Sequence, residues 1–183
     1  MTPLIGFLPF LAFFLLMRLA TPLAGLLAGA AMAALLLALA RRRGESAKPL
    51  ELGALVLFGG LALLTLVAAP AWTVATVRLV VDGGLALMIF AALAAGWPFT
   101  LPYARERVPP ALWATPGFWQ VNRRISAAWG LALLVCTLAD AAVAFLDAAP
   151  PGLAVVATVA ALAGAAWFTR WYPEVARRAA QPG

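Results

Sequence analysis

A helical bundle threaded repeatedly through a membrane is the fold class this chain predicts, and three observations carry it. Hydrophobic residues fill 65% of its 183 positions and charged residues only 11%. Its mean hydropathy is +0.98, so a water-soluble domain of this size would lack the polar residues for its own surface. Its apolar residues also come in runs close to the ~20 residues that cross a hydrocarbon core, divided by short polar punctuation. We therefore expect an all-α polytopic transmembrane bundle of about six spans with both termini cytoplasmic. No hydrophilic segment is long enough for a second domain, so residues 1–183 are expected to form one membrane domain.

The expected spans are 4–20, 22–40, 50–69, 71–96, 125–147 and 153–171, with an interfacial cytoplasmic segment at 97–124. The first span does not read as a signal peptide, because no basic residue precedes its apolar run and Arg18 follows it instead. Pro9 falls inside that span and is expected to kink it, as membrane helices tolerate. "RLATP" (18–22), "AAPAW" (68–72) and "DAAPPG" (147–152) leave room only for tight turns. Pro22, Pro70, Pro150 and Pro151 suit those turns, since proline lacks the N–H that a helix interior uses.

Orientation follows from the basic residues. Arg41, Arg42, Arg43 and Lys48 lie in one connection, Arg105, Arg107, Arg123 and Arg124 in another, and Arg170, Arg177 and Arg178 near the end. In a six-span path these eleven of thirteen basic residues share one side, which the positive-inside rule makes cytoplasmic. The net charge of +6 is thereby a topology signal that also meets anionic lipid headgroups. No aromatic-basic interleaving or recognition helix points to nucleic acid. The single Cys136 excludes a disulfide within the chain, and no Cys–Cys or Cys–His spacing suggests a metal. Histidine is absent, which removes the commonest metal, haem and proton-carrying group, so no cofactor is expected.

The 97–124 connection mixes aromatic rings with charge, the composition that a headgroup layer selects. Its candidate contact residues are Tyr103, Arg105, Glu106, Arg107, Trp113, Trp119, Asn122, Arg123 and Arg124. They either anchor the chain in the interface or dock a cytoplasmic partner or lipid headgroup. Thr115 followed by Pro116 reads as a helix N-cap with proline at the first position, so a helix should start near 116 and run into the fifth span. Gly25 and Gly29 form a GxxxG row continued by Ala33, which serves either a homodimer or close packing within the monomer. The first and last three spans show no internal repeat, so an inverted-repeat transporter has no support here.

Arg18, Arg78, Asp82 and Asp140 are ionisable residues inside expected spans, where charge is costly and normally faces protein or water. Helical rise puts Arg78 and Asp140 about 10 Å, and Asp82 about 16 Å, from the outer ends of their spans. Arg18 lies near the outer end of the first span, and Asp147 at the outer rim. Arg78 and Asp82 are an i,i+4 pair on one helix face. Three roles fit: charges that hold helices together, a polar pocket open to the periplasm for a headgroup or small solute, or a proton relay. A relay fits least well, because we expect no acid in the inner half of the spans. Hydrolysis fits worse still, with Ser46 and Ser126 the only serines and no histidine as base.

Drawn this way, the chain resembles the intracellular septation protein A family of small bacterial inner-membrane proteins. "FLPFLAFFLLMR" (7–18), "LVLFGGLALL" (55–64) and "FWQVNRRISAAWGLALLVCTLADAAVAF" (118–145) carry the likeness, which covers roughly residues 4–170. Arg18, Phe58, Gly59, Gly60, Asn122 and Trp129 fall on its motif positions. The chain departs from the pattern in "PFTLPYARERVPP" and in Asp140, where a polar amide is expected, as a distant branch would. The resemblance implies a non-enzymatic part in septation and envelope upkeep, through division or cell-wall-synthesis membrane proteins. The alternative is a small transporter or lipid-binding protein with an outer-half polar pocket around Arg78, Asp82 and Asp140.

Overall fold

The computed structural model describes residues 5–68, 72–146, 150 and 152–179. Among them are seven α-helices and no strand: α1 (Leu8–Leu19), α2 (Pro22–Arg42), α3 (Pro49–Ala68), α4 (Val74–Ala94), α5 (Leu101–Arg105), α6 (Pro116–Phe145) and α7 (Gly152–Ala179). Short 3-10 turns occupy Ile5–Phe7 and Pro110–Leu112. Five helices, α2, α3, α4, α6 and α7, are long and apolar enough to cross a membrane. These are the dimensions of a multi-pass helical membrane protein.

Local chemistry sets the helix ends. Thr21 and Thr115 cap α2 and α6, their hydroxyls accepting from the N–H groups of Ala24 at 3.1 Å and Phe118 at 3.3 Å, each with proline in the first turn. The expected helix start at 116 is thus where α6 begins. Gly44 and Gly96, at φ 70° and 78°, close α2 and α4 in the left-handed conformation that glycine adopts at least cost. At both ends the next residue's N–H reaches back to a carbonyl five positions earlier: Glu45 to Ala40 and Trp97 to Ala92.

Two expectations change. Pro9 stands in the first turn of α1 after a 3-10 turn, so it starts the helix rather than kinking it. α1 has only 12 residues, about 18 Å of rise, and is not among the five helices of spanning length. As expected, the helix that starts at 116 runs on into the fifth span, one continuous helix of 30 residues. The 68–72 and 147–152 turns fall largely outside the described residues, and Asp147 falls wholly outside them.

The chain divides into two compact units, Met1–Val81 and Asp82–Gly183, with the division inside α4. In the first unit, the buried Phe58 ring lies against Gly29, where a Cβ would come within 2.7 Å of it. Phe10 and Phe13 set their ring centroids 5.4 and 5.0 Å from that of Phe58. A Cβ on Gly25 would meet the Met17 Cβ and the Phe13 carbonyl, both at 2.7 Å. Both glycines of the GxxxG row are therefore used inside the chain, against α1 and α3. Lipid tails are as apolar as leucine, so this contact stabilises through close packing rather than through escape from water.

In the second unit, Gly83 of α4 lies beside Thr137 of α6, and Gly130 of α6 beside Phe90 and Ile89 of α4. Seven residues up one helix match seven down the other, so the two run antiparallel. α6 also pairs with α7, where the Trp129 indole N–H donates to Thr169 Oγ1 at 2.9 Å. Lower on the same pair, Arg124 donates to the Tyr172 hydroxyl.

Candidate functional site

Two polar regions stand out against the apolar helices. The first comprises the ionisable residues within them. Arg18 is exposed near the end of α1. Arg78 is the fifth residue of α4, about 6 Å from its start, and Asp82 lies about 12 Å in, because α4 begins at Val74 rather than 71. Both are half-buried, and both are shallower along the helix than the spacing implied. Asp140 is only 1% exposed, about 7.5 Å from the end of α6.

Within the second unit the α4–α6 register brings two of these acids to one level. Gly83 beside Thr137 sets Asp82 opposite position 138, less than one turn from Asp140. Asp82 lies on the stripe it shares with Ile89, and Asp140 on the stripe it shares with Thr137, the stripes these helices turn toward each other. Arg78, Asp82 and Asp140 all interact with neighbouring groups. Arg78 belongs to the first unit and Asp82 and Asp140 to the second.

The expected 50–69 span holds a further acid that belongs with the ionisable residues inside the spans. Glu51, in the first turn of α3, is 3% exposed, and Lys48 just before it is 4% exposed. Glu51 shares its stripe with Ala54, Phe58 and Ala62, all buried, so it points into the packed side of the helix. It lies inside the expected 50–69 span, at the edge next to the polar 41–48 run, where sequence reading passes over it. The usable signal was the three-, four- and four-residue spacing from Glu51 to Ala62.

The second polar region is the connection between α4 and α6 together with the end of α7, all in the second unit. Thr100 anchors it: its hydroxyl donates to the Asn122 backbone carbonyl at 3.1 Å and to Asn122 Oδ1 at 3.0 Å, and lies 3.0 Å from Ser126 Oγ. Asn122 also donates through Nδ2 to the Phe118 carbonyl at 2.8 Å. Asn122 and Ser126 are buried, so they fasten the connection to α6 and present nothing outward. Sequence reading placed Asn122 on the contact face because its neighbours there are charged.

The other contact candidates lie nearer the surface. Arg105, Glu106, Arg107, Arg123 and Arg124 are exposed, while Tyr103, Trp113 and Trp119 are half-buried. Arg105 stacks over the Trp113 ring at 5.3 Å, and the Trp113 indole donates to the Val108 carbonyl at 2.8 Å. That closes residues 105–113 into a small cap. Missed altogether was the aromatic column on α7: Trp167 stacks on Trp171 at 5.1 Å, and Phe168 on Tyr172 at 4.9 Å. Its four-residue spacing was visible in the sequence, but the expected span stopped at 171.

Among the described residues no group of three or more His, Cys, Asp or Glu side chains is arranged to hold a metal ion. An apolar cleft in the first unit is lined by Leu26, Leu61, Trp72, Val77 and Val80 and is too tight for a water molecule. No protein-family model matches the chain, and no curated protein or solved structure gives a match.

Proposed function

We propose that the chain is a multi-pass protein of the bacterial inner membrane, with six spans and both termini in the cytoplasm. In this reading α1 and the turn before it make the first span. Its role is the non-enzymatic organisation of the cell envelope and septation, through contacts with lipid and with division or wall-synthesis membrane proteins. The observation that carries the membrane part is the apolar exterior, on which Val56, Leu63, Leu87, Leu138, Val156 and Val159 are all exposed. Such a surface is an aggregation hazard in water and the expected one in lipid. The septation part rests on the resemblance at Phe58, Gly59, Gly60, Asn122 and Trp129. Cysteines placed at Arg42 and Glu106 should resist a membrane-impermeant reagent added from the periplasm, and labelling there would overturn the orientation. Deletion in the host should lengthen cells or delay septa, and an unchanged division pattern would remove the septation role.

The burial of Asp140 and Glu51 favours a second reading, a small transporter or lipid-binding protein. Under it, changing Arg78 and Asp82 together to leucine leaves folded yield intact and abolishes stabilisation by a ligand. A double variant stabilised by lipid or solute as well as the parent is would eliminate this reading.

A further inference from the structure

Arg124 is an exposed cation whose position is fixed by an aromatic partner on the neighbouring helix. Its guanidinium lies over the Tyr172 ring, 5.5 Å from the centroid, and one N–H donates to the Tyr172 hydroxyl. Tyr172 is itself stacked on Phe168, and the Trp129–Thr169 bond locks the helix pair one turn further along. A long flexible side chain is thus held by the ring and the hydroxyl of one tyrosine before any ligand arrives. Arginine has five N–H donors in a planar fork, and Arg124 is exposed, so the donors not used by Tyr172 are open to a ligand.

Depth adds a second argument. A hydrocarbon layer of about 30 Å takes about 20 helical residues. Counted back from Phe145 it ends near position 126 of α6, and counted forward from Gly152 it ends near position 171 of α7. Both counts, made on separate helices, reach the Arg124–Tyr172 pair. The exposed rings of Trp167 and Trp171 lie at the same border, where indoles settle. Charge completes the case: Arg123, Arg124, Arg170, Arg177 and Arg178 gather on these two helix segments against Glu174 alone.

The geometry points to a binding site for the phosphate of an anionic phospholipid at Arg124, with Tyr172 as the residue that positions the guanidinium. This rests on the reading that α6 and α7 cross a bilayer. The planar fork grips two phosphate oxygens, and the acyl chains descend along the exposed aromatic and apolar face of α7. A free phosphate would take the same fork but gain nothing from Trp167 and Trp171.

The test is native mass spectrometry of the detergent-purified full chain, titrated with phosphatidylglycerol, phosphatidylcholine or inorganic phosphate. The unmodified chain should prefer phosphatidylglycerol. Arg124→Gln should weaken that lipid about tenfold, and Tyr172→Phe, which keeps the ring and loses the acceptor, roughly threefold. Arg124→Lys should resemble the glutamine variant, because it keeps the charge and loses the fork. Arg43→Gln, made as a charge control at an exposed arginine outside this cluster, should bind as the parent does. Equal losses at Arg43 and Arg124 would reduce the effect to diffuse charge and overturn the site. Displacement of the lipid by equimolar phosphate would overturn the lipid assignment, and so would equal binding of the two lipids. Failure of the membrane reading shows elsewhere, as release of the chain from membranes by alkaline carbonate.

Discussion

The two units place different weight on close packing and on side-chain hydrogen bonds. In Met1–Val81 the contact at the centre is a ring against a missing side chain, Phe58 on Gly29, with Gly25 equally close to α1. In Asp82–Gly183 a glycine again meets a ring, Gly130 against Phe90, but less tightly, and side-chain hydrogen bonds are added, Thr100 to Asn122 from the connection and Trp129 to Thr169 between helices. These are the two devices open to helices that lipid does not push together: close backbone approach and polar bonding. The first is intolerant of added volume and the second of lost donors.

The largest effect should come from emptying the ring site. Phe58→Ala should cost about 3–5 kcal/mol, read as a fall in unfolding temperature in detergent. An unchanged temperature would show that the ring is not the keystone of the first unit. Adding volume is next: Gly29→Ala should destabilise by about 1–3 kcal/mol. Gly60→Ala, where a Cβ meets open space, should be neutral or stabilising by up to about 1 kcal/mol. Equal behaviour at the two positions would erase the distinction between packed and lipid-facing glycines.

In the second unit, Thr100→Val removes the hydroxyl shared by Asn122 and Ser126 and should cost about 1–3 kcal/mol, since buried acceptors lose their donor. Measuring it together with Asn122→Leu in a double-mutant cycle should give a non-additive pair. The smallest effect is expected for Trp129→Phe, which deletes one interhelical bond worth about 0.6 kcal/mol in membrane proteins. A loss several times larger would mean that the α6–α7 pair depends on that single bond.

Periodic features were legible in the sequence. The apolar runs located the long helices, and Thr115–Pro116 marked the start of α6 to the residue. The starts of α1 and α4 were read too early, because apolar composition runs on through Ile5, Phe7 and Trp72 while helical hydrogen bonding does not. At the sites, charge was easy to see and direction was not. Asn122 carries the same polarity whether it faces water or Thr100, and only the fold decides. Glu51 is overlooked inside the 50–69 span, because sequence shows one acid at the edge of an apolar run but not that it is buried. The column Phe168–Tyr172 becomes meaningful only once Arg124 is brought to it by an antiparallel partner 48 residues away.

The continuity of α6 has a mechanical consequence. Its 30 residues rise about 45 Å, some 15 Å more than a hydrocarbon layer needs. In a bilayer the surplus is a lever arm on the same rigid rod as the spanning part. A change in tilt of about 10°, well within the range such helices show, swings the Pro116 end by roughly 3 Å. Because Thr100 is bonded to Asn122 on that arm, the connection that leads to α6 travels with it. Any tilt of α6 would therefore carry the exposed Arg123 and Arg124 and the Thr100 connection with it as one piece.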